Sequence, residues 1–210
     1  GLNLSHILIT HHHWDHIDGV EALRAATGAF VWGAAADAHR LPPLDRLLQE
    51  GDRFTIGSEV GQLIDVSGHT VGHIAFHFPA SALAFTADSL MAGGCGRLFE
   101  GTPDQMWHSL CKLSALPPET LICSGHEYTT SNLAFAATIE PANMALSARI
   151  AEVATARAGN RGTVPSPLSA ELATNPFLRA GLPHIKAAIG LPQASDAQSF
   201  AEIRARKDKF

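Results

Sequence analysis

The sequence predicts an α/β fold: a layered region of strands and helices over residues 1–130, followed by a helical domain over residues 131–210. Three observations carry this reading. Short apolar runs closed by Gly, Pro or polar residues recur through the first part, as strands do. Stretches with helical spacing alternate with some of them. After Tyr128 the chain becomes rich in Ala, apolar residues fall at helical intervals, and strand-like runs become few.

Taken in order, residues 4–10 (LSHILIT) read as a short buried strand. Residues 20–27 read as a helix with Val20, Leu23 and Thr27 on one face and Gly28 as its stop. A strand over 29–33 follows, then an Ala-rich helix running toward Leu41 and halted by Pro42-Pro43. Strands are expected over 53–56 and 62–66, and a hairpin over 74–78 and 82–86. The run Gly93-Gly94-Cys95-Gly96-Arg97 has the composition of flexible backbone. Residues 103–116 form a helix opened by proline, and 121–124 a further strand. Helices over 132–139, 142–158 and 196–207 complete the chain, with Gly159 to Gly162 and the Pro165/Pro167 stretch as connectors.

Composition narrows the function classes. Hydrophobic residues make up 46% and charged residues 17%, enough apolar content for a sizeable core and too much for disorder. A net charge of −5 offers no footprint for a nucleic acid or an anionic membrane. No apolar run reaches the length of a membrane span, and no signal peptide is visible. Cys95, Cys111 and Cys123 form no CxxC pair and are odd in number, which suits a reducing cytoplasm. The chain opens at Gly1, so a missing N-terminal piece is expected.

Twelve histidines are many for 210 residues, and the densest group is His11-His12-His13-Trp14-Asp15-His16. Read as His-x-His-x-Asp-His, it puts imidazole nitrogen and carboxylate oxygen together, as borderline transition metals prefer. One helical face cannot converge these residues, because His11 and His13 lie two apart. A loop leaving a strand can. A purification tag would be terminal and uninterrupted, unlike this run.

Three further apolar runs end the same way. LIDVS delivers His69, LAFTA delivers Asp88 and LICS delivers His126. Sites in layered α/β proteins collect at the carboxyl ends of strands, so four such ends point to one metal centre.

THHHWDH, GHTVGH, TADSL with GGCGRLFEG, SGHEYT and the closing RARKDKF, in this order, resemble the metallo-β-lactamase superfamily and, within it, the hydroxyacylglutathione hydrolase (glyoxalase II) family. The resemblance implies a four-layer αβ/βα sandwich with a C-terminal helical domain that binds glutathione. It implies two divalent metal ions, zinc first, with iron or manganese as other choices. His11, His13 and His69 would hold one, Asp15, His16 and His126 the other, and Asp88 would bridge them. Asp15 and Asp88 would also serve the catalysis. His12 is not a ligand in the family, and His73 reads as a structural neighbour of the ligands.

The activity implied is hydrolysis of S-(2-hydroxyacyl)glutathione thioesters, S-D-lactoylglutathione above all, by a hydroxide shared between the metals. Arg97, Tyr128, Arg204 and Lys207 match the family's glutathione contacts, and cations suit the carboxylates of that peptide. Cys95 reads as structural, since no cysteine nucleophile is needed. A monomer acting on a small molecule is expected. The sequence departs from the family at Asp18, where Gly is common, at Ala87 and Ser89 in place of Gly and Thr, and at Phe99 where some members have Tyr. The strands that normally precede the first motif are expected to be absent. The alternatives are a mononuclear iron persulfide dioxygenase of the same superfamily and an inactive truncated remnant.

Overall fold

The computed structural model describes residues 1–210 throughout. The elements run β1 (His6–Leu8), α1 (Trp14–Ile17), α2 (Val20–Thr27), β2 (Phe30–Ala34), β3 (Arg46–Leu48), β4 (Arg53–Ile56), β5 (Glu59–Asp65), β6 (Ile74–Phe78), β7 (Leu83–Ala87), β8 (Leu90–Met91), β9 (Gly94–Cys95), α3 (Pro103–Ser114), β10 (Leu121–Ser124), α4 (Thr129–Ile139), α5 (Met144–Ala158), β11 (Ser166–Pro167), α6 (Leu168–Thr174), α7 (Pro183–Ala188) and α8 (Asp196–Lys207). None of the helices is long and apolar enough to cross a membrane.

Two sheets face each other. One is three-stranded and parallel, in the order β1-β2-β3; the other has six strands, β11-β10-β7-β6-β5-β4. The side-chain period of two sorts residues between layers. Along β6, Ile74, Phe76 and Phe78 enter the core between the sheets with Trp32, Leu48, Phe54 and Leu63. Ala75, between them in sequence, faces the opposite way into the largest core, where α3 and α8 cover the six-stranded sheet. On the other side, Val31 of β2 turns away from Trp32 to meet Val20 of α2 with Ile9 and Leu41. The result is helix, sheet, sheet, helix: the four layers expected.

Local signals start the outer helices. Thr102 accepts from the Gln105 N–H while the Gln105 side chain accepts from the Thr102 N–H, and Pro103 occupies the first turn of α3. Ser195 and Gln198 form the same reciprocal box at α8. Such caps satisfy donors that the first turn leaves open. Helix α3 buries Met106, Leu110 and Leu113, spaced four and three apart, on one face. Trp107 of α3 lies 6.1 Å from Phe200 of α8, ring centre to ring centre.

The structure corrects three expectations. The Ala-rich helix after β2 is only a 3-10 turn over Ala35–Asp37, because Asp37 is buried and bonded sideways to His12 and Arg40. The Gly93–Gly94 run is not loose: it closes the β8–β9 hairpin, and residues 93–96 are buried. Four short strands, β3, β8, β9 and β11, and the helices α6 and α7 escaped the sequence reading. β11 pairs antiparallel with β10, so the C-terminal part of the chain completes the larger sheet.

Candidate metal centre

Topology explains the convergence of ligands. β6 is antiparallel to both β5 and β7, and β7 is parallel to β10. Strands β5, β7 and β10 therefore run the same way and end at one edge. His69, Asp88 and His126 follow those ends. The fourth contributor is β1, in the facing sheet. Its continuation is tied to the same edge by the Ile74 N–H, which donates to the Thr10 carbonyl at 2.9 Å.

Asp88 is aimed by irregular backbone. The β7–β10 register slips by one residue at Cys123/Ser124, so Ser124 stands opposite Ala87 while Cys123 stands opposite Phe85. Ala87 adopts the left-handed region at φ 42°. Bulges and such residues cluster beside sites, where they redirect a side chain. Gly125 leaves room for the result: a Cβ there would lie 2.4 Å from Asp88 Oδ1 and 2.8 Å from the His16 ring.

All seven predicted ligands come together in three overlapping groups: His11, His13 and His69; His11, His16 and Asp88; Asp15, His16 and His126. His69 Nε2 is 3.0 Å from His13 Nδ1, and His16 Nε2 is 3.3 Å from His126 Nε2. Asp88 spans the groups, with Oδ2 3.6 Å from His69 Nε2 and 3.3 Å from His126 Nε2, and Oδ1 3.5 Å from His16 Nε2. Asp15 Oδ2 lies 3.3 Å from His126 Nε2.

These residues fit metal ions. Nitrogens about 2.0–2.1 Å from a tetrahedral zinc lie roughly 3.3–3.4 Å from one another, close to the separations here. His11 Nε2 and Asp88 Oδ1 are buried without a hydrogen-bond partner, which is costly for a group with no other role. Burial holds His11 and His69 below the ordinary histidine range, and neighbouring imidazoles add to this; burial lowers His13 as well. Neutral imidazole is the form that binds metal. The rings are also oriented from behind. His69 Nδ1 donates to the Arg97 carbonyl at 2.7 Å, and His11 Nδ1 lies 3.1 Å from the Thr10 hydroxyl. His73, fully buried, stacks on His11 at 4.5 Å and 16°. It ligates nothing in these groups.

A cavity of about 630 Å³ opens over the cluster, with His13, Asp15, His69, Asp88 and His126 in its wall. Arg97, Tyr128, Arg204 and Lys207 line it too. Tyr128 stacks on His126 at 4.9 Å. Lys207 Nζ donates to the Ser131 carbonyl at 3.2 Å and sits 5.3 Å from the Phe135 ring centre and 5.0 Å from that of Phe210. Its burial, with Arg204 nearby, lowers the Lys207 pKa. Arg204 is buried, donating to the Cys95 carbonyl and to Asp208, each at 3.0 Å. Burial raises the Cys95 thiol to about 11 despite Arg204, which leaves it protonated and unfit as a nucleophile.

Comparison with known proteins agrees with this geometry. Residues 1–126 match the family model of the metallo-β-lactamase superfamily, and residues 127–210 that of the hydroxyacylglutathione hydrolase C-terminus. Hydroxyacylglutathione hydrolase of Cereibacter sphaeroides (strain ATCC 17029) is 67% identical over 210 residues, covering all of this chain and 82% of that protein. The chain belongs to the hydroxyacylglutathione hydrolase family. The enzyme of that name from Jannaschia sp. is 63% identical over 100% of this chain and 82% of its own length, and that from Rhodobacter capsulatus 56% over 99% and 81%.

Among solved structures, ETHE1 from Myxococcus xanthus superposes with a TM-score of 0.62 at 26% identity, over 97% of this chain and 69% of the other. A metallo-β-lactamase from Staphylococcus aureus reaches 0.64 at 19% identity, over 98% and 57%, and speaks for the fold alone.

Two polar groups around the hydroxyacylglutathione hydrolase motifs were not found in the sequence. Asp37, Arg40 and Glu100 gather about His12. Glu171, fully buried, ties the helical region to the β8–β9 hairpin. Neither group has a local motif, since its members come from distant parts of the chain.

Proposed function

We propose that this protein uses two divalent metal ions to hydrolyse S-(2-hydroxyacyl)glutathione thioesters, releasing glutathione and a 2-hydroxy acid. The observation that supports this most directly is the set of seven converging donors, more than one ion needs, beneath a cavity that also holds three basic side chains. The GCGRLFEG loop and the helical C-terminal region, which matches the hydroxyacylglutathione hydrolase C-terminus, favour the hydrolase over a mononuclear iron persulfide dioxygenase. The names of the close relatives support the thioester as substrate. S-D-lactoylglutathione is the proposed acyl donor and zinc the proposed metal.

Bound at these ligands, the two ions would supply a water acidic enough to ionise near neutral pH and an electrophile for the carbonyl oxygen. The remaining steps belong to the chain. Asp15 and Asp88, whose carboxylates face one another across His126, accept hydrogen bonds and orient the attacking water. Arg97, Arg204 and Lys207 pair with the carboxylates of glutathione, and the Tyr128 hydroxyl donates to its backbone. These contacts fix the thioester so that binding converts a bimolecular encounter into an oriented one. The leaving thiol has a pKa of about 8.5, so it departs as thiolate without a strong acid beside it. In this reading residues 1–130 carry the chemistry and residues 131–210 form the glutathione-binding domain, to whose site Arg97 and Tyr128 contribute from the first part, in a cytoplasmic monomer.

The test is a single purified sample. Metal per chain is measured, and hydrolysis of S-D-lactoylglutathione is followed before and after chelation. Two metal equivalents, loss of activity on chelation and recovery with added zinc are expected. One iron per chain with oxygen uptake on glutathione persulfide would reverse the choice.

A further inference from the structure

His12 lies in the middle of the ligand motif and binds no metal in the proposed scheme, yet both its nitrogens face carboxylates. Nδ1 donates to Asp37 Oδ2 at 2.9 Å, and Nε2 is 3.5 Å from Glu100 Oε1. Arg40 closes the ring. Its Nε donates to Asp37 Oδ1 at 2.6 Å, and its two terminal nitrogens donate to the two oxygens of Glu100. Glu100 makes one more contact: Oε2 accepts the Val71 N–H at 2.9 Å. Hydrogen bonding from Arg40 holds the Glu100 carboxyl down to about 2, so it is charged wherever the protein works.

The four segments joined are those around the first group of ligands. His12 lies between His11 and His13. Val71 follows His69 by two residues. Glu100 ends the loop whose Phe99 N–H donates to the His69 carbonyl at 3.2 Å and whose Arg97 carbonyl receives the His69 ring. Asp37 also presses on the loop after His69, since a Cβ at Gly72 would lie 2.4 Å from the Asp37 Cβ. None of Asp15, His16 and His126 bonds to this network. A lone ion pair on a surface contributes little, but a bidentate pair within a network is the recognised exception.

We propose that Glu100, held by Arg40, is a positioning residue that presets the loops of His11, His13 and His69 for one of the two metal ions. The inference rests on the binuclear reading above. The ring spans loops and leaves the core between the sheets untouched, so its loss should loosen a metal site more than the fold. Outer contacts of this kind typically change metal affinity by about 10- to 100-fold.

The experiment titrates zinc into metal-free protein by calorimetry with a competing chelator, for the wild type, E100A, R40A and the double variant. H13A, which lacks a ligand of the first group, identifies the step that belongs to it. The expected result is a loss of about 10- to 100-fold in that step for E100A, with the other step within about twofold. R40A should weaken the same step, and the double variant should fall little further than E100A, since the two act as one unit. The metal-free variants should melt within a few degrees of wild type. At saturating zinc, kcat should return to within about threefold, because occupancy and not chemistry was lost. Equal weakening of both steps, additive losses, or two unchanged steps would overturn the proposal while the wild type still binds two ions. A wild type that binds fewer than two ions would overturn the binuclear reading and this proposal with it.

Discussion

Two polar clusters, one buried around Glu171 and one part-buried at the candidate ligands, are built on opposite terms. Around Glu171 every polar atom is answered. Its Oε2 accepts from the Gly93 N–H at 2.8 Å and from Asn175 Nδ2 at 3.0 Å; its Oε1 accepts from Ser166 and from Arg149. Arg149 also donates to Thr174 at 2.7 Å. Asn175 donates to the Gly94 carbonyl at 2.9 Å, and Asn132 to that of Ala92 at 3.1 Å. In the ligand cluster, by contrast, His11 Nε2 and Asp88 Oδ1 have no hydrogen-bond partner. A satisfied cluster holds a fold together. An unsatisfied one is arranged for something that arrives later. Lack of a partner alone does not mark a site, since both nitrogens of His77 and the hydroxyls of Thr120 and Ser199 share it; what sets the ligand cluster apart is that its open atoms lie among converging donors.

Variants on each side test that distinction, and the largest effect belongs to the unsatisfied cluster. Asp88→Ala should bind neither metal and lose activity about ten-thousandfold, equivalent to about 5 kcal/mol of barrier. The metal-free variant should melt within a few degrees of the metal-free wild type. Retention of two metal equivalents would remove Asp88 from its bridging role.

Glu171→Ala should behave in the opposite way. It leaves Arg149 buried without its partner, a change that costs about 3–5 kcal/mol of stability in comparable pairs. Denaturant unfolding of the metal-free protein reads this directly. A cost below about 1 kcal/mol would mean that the cluster is not the fastening its geometry describes.

Lys207 stands between the two extremes, with a weakly held cation at the cavity wall. Lys207→Ala should raise KM for S-D-lactoylglutathione about tenfold and change kcat less than twofold, the pattern of lost ground-state binding. An unchanged KM would return it to the role of a helix-terminal charge on α8.

The smallest effect concerns Glu140, a satisfied carboxylate in the helical region. Its burial alone would raise its pKa, but hydrogen bonds from Arg179, at 2.7 and 2.8 Å, and from His184, at 2.9 Å, outweigh this and leave it below 4.5. The unfolded chain therefore binds this proton at higher pH than the folded one. The contribution is complete above about pH 4.5 and falls away as the pH drops toward the lowered value. Glu140→Gln should flatten the stability profile in that acid window, and a profile unchanged there would show the pairing to be inconsequential.

Much of this was readable before any coordinates. The strands ending in ILIT, LIDVS, LAFTA and LICS fold as β1, β5, β7 and β10; the bounds of β10 match those expected, and the ends of the other three differ by one to three residues. The helix over Asp196–Lys207 has the bounds its periodicity suggests. The seven candidate ligands were legible because each follows a strand end, where the apolar pattern stops abruptly. The Ala-rich segment after β2 misled because helix propensity is a weak prior, and here Asp37 is drawn inward by partners 25 residues earlier and three residues later. The β8–β9 hairpin escaped because its fastenings come from Glu171, 78 residues beyond Gly93, and from Asn175, 81 beyond Gly94.

The sequence by itself determined which chemical groups this protein offers and in what order. Imidazole and carboxylate carry their ligand character with them, and the alternation of apolar residues along short runs is a local property. Only the tertiary structure decided which groups share a site. Three strands had to run the same way for His69, Asp88 and His126 to meet, and that depends on pairing partners far apart in the chain. It also decided which buried atoms are answered and which are left open, because desolvation and hydrogen bonding belong to the neighbours a group acquires. Glu171 and Glu100 are the same type of residue in sequence. One is buried to lock a hairpin, and the other, at the surface, gathers the loops of a metal site.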